Sequence, residues 1–163
     1  MFPAQILLKT PPWVWGLLLA LMALGYSQTR SRSVGLQRTL LMPVAMVVLS
    51  LYGMLSVFGA SAAVLGAWLA SCALVVSLTL MQPAPTGTAY HHATRHYALP
   101  GSWLPMVVIL GIFMTKYAVG VTLAMQPSLA QNSLFTLLIS MLYGVFSGFF
   151  AGRAMRLWRL TLV

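Results

Sequence analysis

Five apolar stretches, at about 12–27, 40–58, 62–81, 103–125 and 133–152, alternate with short polar segments along the chain. Each is long enough, or nearly so, to cross a hydrocarbon layer as a helix, which takes about 17–25 residues. The first opens after Pro11 and Pro12, which suit a helix start because the missing N–H would have no partner there. It is the shortest, and tilt or local thinning of a bilayer would accommodate it. From Leu40 to Met81 there is no charge for 42 residues. As one helix that run would be about 63 Å long, twice the hydrocarbon thickness, so it must fold back on itself. Gly59, Ala60 and Ser61 are the natural turn. The longest polar segment, Gln82–Ser102, is rich in Pro and Gly and reads as a loop with at most short structure of its own. Gln126, Pro127, Gln131 and Asn132 make the last connection.

Composition agrees with this pattern. Of 163 residues, 60% are hydrophobic and 6% charged, with no Asp or Glu, whereas a soluble domain carries roughly 25% charged residues. The expectation is an all-α integral membrane bundle of about five transmembrane helices, forming a single transmembrane domain over 1–163. The Lys9 and Trp13–Leu24 region has the charge and apolar run of a signal peptide. No small-x-small cleavage site follows, so it reads as a retained first span.

The net charge of +9 does not point to nucleic acid, because the positive residues flank apolar runs and form no continuous basic face. Their better use is orientation and attraction of anionic lipid headgroups, at about 1 kcal/mol per residue near the surface. With five spans, Arg30, Arg32, Arg38, Arg95, Arg153, Arg156 and Arg159 fall on one side and Lys9 on the other. The positive-inside rule then sets the N-terminus outside and the C-terminus in the cytoplasm. Four spans would segregate these charges less well.

Lys116 is the charge that topology does not explain. It lies near the middle of the fourth span, where a lysine costs on the order of 3 kcal/mol, in a chain without a carboxylate side chain to pair with it. Helical side chains lean toward the helix N-terminus, here back toward the bilayer centre, which works against snorkelling. Lys116 reads as a structural lysine bonded within the bundle, as a ligand contact with Tyr117 beside it, or as the partner of an acidic residue on another subunit.

Gln28, Arg30, Arg32, Gln37 and Arg38 gather at the ends of the first two spans. Guanidinium groups grip phosphates and carboxylates bidentately, so this cluster is either topology charge touching headgroups or an anion site. Gly144, Gly148 and Gly152 repeat at four-residue spacing, a glycine zipper that permits close helix packing. It fits an intramolecular seam or a homodimer face. His92 and His96 have metal-compatible spacing, with His91 adjacent, but no carboxylate or cysteine accompanies them, so no metal site is expected. Cys72, alone in an apolar run, reads as a small hydrophobe. No paired carboxylates, Ser–His–Asp set or nucleotide motif is present. Neither an enzyme nor a cofactor is expected.

Two stretches resemble a known group of proteins. One is Leu24-Gly25 with Gln28, Arg30, Arg32, Val34 and Arg38. The other is Pro100-Gly101-Ser102-Trp103-Leu104-Pro105 with Ile112-Phe113, Lys116-Tyr117 and Gly120. Together with Tyr143-Gly144, Ser147-Gly148 and Arg153, they resemble a family of small, uncharacterised bacterial inner-membrane proteins over nearly the whole chain. That resemblance implies a bacterial inner-membrane location and a multi-span architecture, and it carries no activity or catalytic residue. The residues themselves favour binding or transport of a small anionic or amphipathic ligand. The alternative is an accessory or assembly subunit of a larger membrane complex.

Overall fold

The computed structural model describes residues 10–83, 87, 89–91 and 96–159. Lys9, His92 and Arg95 lie outside them. Each of the five apolar stretches forms a helix: α1 (Pro12–Ser27), α2 (Leu36–Phe58), α3 (Ala62–Met81), α4 (Leu104–Met125) and α5 (Ser133–Arg159). Among the described residues, α3, α4 and α5 are long and apolar enough to cross a membrane, and α1 is shorter. The apolar residues of α2 run from Leu40 to Phe58. The polar connections add three short strands, β1 (Arg32–Gly35), β2 (Ala89–His91) and β3 (His96–Leu99). They form one antiparallel sheet in the order β1-β3-β2.

The chain divides into two compact units. Unit 1 comprises residues 1–31 and 101–127, and unit 2 comprises 32–100 and 128–163. In unit 1, α1 packs along α4. Gly25, near the end of α1, lies against Met106, near the start of α4, so closely that a Cβ would stand 2.9 Å from the Met106 Cγ. At the other end Thr10, just before α1, bonds Tyr117, late in α4. The two helices therefore run antiparallel.

Unit 2 is built around α5, which packs against both α3 and α2. Gly59 turns the chain between α2 and α3 at φ +74°, a left-handed conformation that glycine adopts without strain. Ser61 then caps α3 by accepting from the Val64 N–H at 3.2 Å. Asn132 does the same for α5, its Oδ1 accepting from the Phe135 N–H at 3.1 Å. The core gathers Met54 of α2, Val64 and Trp68 of α3 and Tyr143 of α5.

The glycines of α5 all face α3. A Cβ at Gly144 would run into the Trp68 carbonyl oxygen and the Ser71 hydroxyl. At Gly148 it would stand 2.6 Å from the Cys72 carbonyl oxygen, and at Gly152 2.8 Å from the Thr79 Cβ. The spacing thus serves direct contact between the two helices of one chain. Buried hydroxyls in this seam bond back to their own helix, Ser140 to the Thr136 carbonyl at 2.7 Å and Ser147 to the Tyr143 carbonyl at 2.9 Å. Ser50 reaches across from α2 to the same Tyr143 carbonyl at 3.2 Å. Where no water competes, such self-satisfaction avoids the cost of an unpaired polar group.

One bound differs from the sequence-based expectation. The second helix begins at Leu36 rather than near 40, because it starts directly after Gly35 ends β1 and so takes in Gln37 and Arg38. The segment before the fourth helix holds short structure, as its sequence allowed. His96 is exposed, Tyr97 fully buried, Ala98 half-buried and Leu99 buried, the alternation of a half-buried strand. The Tyr97 hydroxyl donates to the Leu157 carbonyl at 3.1 Å, fastening β3 to the end of α5.

Enlarging Gly144 tests the seam. Gly144→Val forces α3 and α5 apart and should cost about 1–3 kcal/mol, seen as a lowered unfolding temperature of the purified protein. Gly66→Ala, whose added Cβ meets nothing within 4 Å, should leave that temperature unchanged or raised.

Candidate functional site

Lys116 lies 12 residues after Leu104 and 9 before Met125 in α4, and its side chain is exposed. That exposure sets Lys116 apart from the buried residues of the same helix, Pro105, Ile109, Phe113 and Val119. Tyr117, the next residue and about 100° further round the helix, is half-buried. Its hydroxyl shares a 2.6 Å hydrogen bond with Thr10 Oγ1, and its ring stacks on Phe113 with centroids 6.3 Å apart and planes 8° from parallel. Tyr117 thus ties the start of α1 to α4, and Lys116 sits one residue from that tie. Beyond it α4 runs on for two more turns to Met125, past the point where α1 begins. The sequence read Lys116 and Tyr117 as one contact pair. The structure separates their roles into an exposed charge and a half-buried clasp.

The opposite end of unit 1 is held by backbone. The Ser102 N–H donates to the Gln28 carbonyl at 3.1 Å. Gly101 lies so close to the chain at Thr29 that a Cβ there would meet the Thr29 carbonyl group. Gln28 ends α1 and is 8% exposed. Its Nε2 is buried without a hydrogen-bond acceptor among the described residues. Arg30 is exposed and folds back on α1. Its guanidinium donates to the Tyr26 hydroxyl at 3.3 Å and lies 5.4 Å from the centre of that ring. A cation held over an aromatic face in this way keeps its outer edge for an anion.

The proposed arginine cluster divides between the units. Gln28 and Arg30 belong to unit 1, Arg32 and Arg38 to unit 2. Arg32 opens β1, opposite Leu99 of β3. Arg38 lies in the first turn of α2. Sequence adjacency grouped the four, and neither unit by itself brings them together.

The histidine segment takes a form that helical spacing did not foresee. His91 in β2 stands opposite His96 in β3 in the strand register. Among the described residues no group of three or more His, Cys, Asp or Glu side chains is placed to hold a metal ion. Cys72 is a half-buried free thiol on the face of α3 that meets Gly148.

The sequence reading missed the clasp between Thr10 and Tyr117, although Thr10-Pro11-Pro12 before an apolar run marks a helix start at which a hydroxyl would be free to bond. It also missed Gly101 as a contact position, although the Pro100-Gly101 pair marked a turn. Tyr117→Phe should lower stability by about 0.5–1.5 kcal/mol, the net worth of one hydrogen bond, in thermal unfolding of the purified protein. Gly101→Val should cost more, since the backbone at Thr29 cannot move aside as a flexible side chain would.

Comparison with curated proteins gives no match, and neither does comparison with solved structures. The profile of a family of unknown function, DUF6622, matches residues 2–162, and the chain belongs to that family.

Proposed function

We propose that this protein lies in the bacterial inner membrane as a five-span bundle, N-terminus outside and C-terminus in the cytoplasm, and that it binds or passes an amphipathic anion recognised by Lys116. The observation that carries this reading is the exposed position of Lys116 near the middle of an apolar helix. A charge in that place costs on the order of 3 kcal/mol in hydrocarbon. An anion arriving through the lipid, with an apolar tail to match the surrounding helices and an oxyanion for the amine, offsets that cost. Ile112 and Leu123 of α4, four residues before and seven after Lys116 and so on its face of the helix, are half-buried and supply apolar surface beside it. Arg30, braced on Tyr26 near the other end of α1, offers a second cationic stop for the same class of ligand at the cytoplasmic surface.

A second reading draws on the same exposure. A carboxylate on a neighbouring membrane subunit would meet Lys116 equally well, making this chain an accessory or assembly subunit. Gentle detergent purification separates the two, because a stoichiometric acidic partner favours the accessory role and a lone protomer or homodimer favours the ligand role.

The ligand reading is tested by equilibrium binding of a fluorescent long-chain carboxylate to the full chain in detergent. Lys116→Met should weaken binding about ten- to a hundredfold, the worth of a charge-assisted hydrogen bond, while the unfolding temperature holds or rises. Lys116→Arg should retain most of the affinity. Unchanged binding with only a lowered unfolding temperature would contradict the proposal.

A further inference from the structure

The last helix is longer than a membrane crossing requires. Its 27 residues span about 40 Å at 1.5 Å each, against roughly 30 Å of hydrocarbon. The surplus falls at one end. The apolar part closes near Ala151, and the remaining two turns, Gly152–Arg159, carry Arg153, Arg156, Trp158 and Arg159. Three positive charges in eight residues, in a chain with no Asp or Glu, give this overhang a strongly positive character.

The overhang is also firmly built. The fully buried Tyr97 donates its hydroxyl to the Leu157 carbonyl. The Arg156 guanidinium donates to the Pro83 carbonyl at 3.4 Å, joining the overhang to the segment that follows α3. Tyr97 and Leu99 bury one face of the sheet. On the outside, Arg159 is exposed and Trp158 is 56% exposed. An amphipathic indole beside a guanidinium, at the point where an apolar helix leaves the hydrocarbon, fits the headgroup layer of a bilayer. There tryptophans collect, and phosphodiester oxygens accept from arginine.

We propose that the Gly152–Arg159 overhang of α5, braced by the sheet, is a docking surface for the headgroups of anionic phospholipids. The occupant is fixed by charge and position. The surface is cationic, it adjoins the apolar part of the same helix, and its exposed aromatic residue suits the boundary between tail and headgroup. The bracing holds the arginines at that boundary instead of leaving them on a frayed helix end. This docking rests on α5 crossing the bilayer and is independent of Lys116.

The test uses the full chain in vesicles of phosphatidylcholine and phosphatidylglycerol in equal parts, with bromine on the acyl chains of one lipid or the other. The Trp158 signal is the difference between the natural chain and Trp158→Phe. Brominated phosphatidylglycerol should report a relative affinity at Trp158 about fivefold or more above that of phosphatidylcholine, the equivalent of at least one arginine–headgroup contact. Arg153→Gln with Arg159→Gln should bring the two lipids close to parity. The natural chain supplies a second measurement that needs no variant. Near 1 M salt, where screening acts within about 3 Å, its preference should shrink sharply. Equal quenching by the two lipids at low salt would overturn the proposal, as would a preference that survives both the arginine changes and high salt. Suppression by inorganic phosphate beyond that of chloride at equal ionic strength would overturn it too, by showing a site for soluble phosphate. Quenching of the other tryptophans by either lipid reports the bilayer position of the chain separately, so failure of the docking and failure of the membrane reading are distinguishable.

Discussion

In unit 2 the glycines of α5 let its backbone lie directly against α3, and the other elements of that unit are arranged around this contact. In an apolar solvent, burying hydrocarbon drives helices together only weakly, and helix association relies on van der Waals contact and interhelical hydrogen bonds. Gly144 and Gly148 allow that contact by removing the side chains that would hold α5 away from Trp68 and Cys72. Trp68, brought against α5 in this way, forms the core with Met54, Val64 and Tyr143. The Tyr143 carbonyl in turn receives the Ser50 hydroxyl of α2. Past the seam, the same helix continues as the overhang onto which Tyr97 fastens the sheet.

Unit 1 solves a related problem with fewer parts. A two-helix pair has little interior, and α1 buries only Gly25 among its own residues. The pair is held at its ends: a glycine on a methionine and a backbone hydrogen bond near the close of α1, and a hydroxyl clasp at its start. This leaves most of both helices facing outward, including Lys116. An exposed charge on an apolar helix is an unusual use of a lysine, and the proposed anion site rests on it.

Much of the helical framework was legible in the sequence because its signals are local. The uncharged run from Leu40 to Met81 demanded a reversal, and Gly59 with Ser61 supplied both the left-handed turn and the cap that follows it. The four-residue repeat of glycines likewise showed which face of α5 could approach another helix, though it did not show which helix. The sheet was not legible, because β1 and β3 are separated by sixty residues and each is only four residues long. No local pattern links Val34 to Tyr97, its partner in the ladder. Read in isolation, the alternation across His96–Leu99 would have marked a strand without saying what it paired with. The candidate site was legible residue by residue but not in its geometry. Charge in an apolar run singled out Lys116, whereas the different exposures of Lys116 and Tyr117 follow from how α1 lies on α4. The grouping of Arg30 with Arg32 and Arg38 followed chain order, which the division into two units cuts across.

The most direct test is a density map of the protein in lipid nanodiscs, read within hydrogen-bonding distance of the Lys116 Nζ. The account predicts a phosphate or carboxylate oxygen there, belonging to a molecule outside the chain with an apolar tail along α4. Only carbonyl and hydroxyl oxygens of the chain itself around that nitrogen would contradict it.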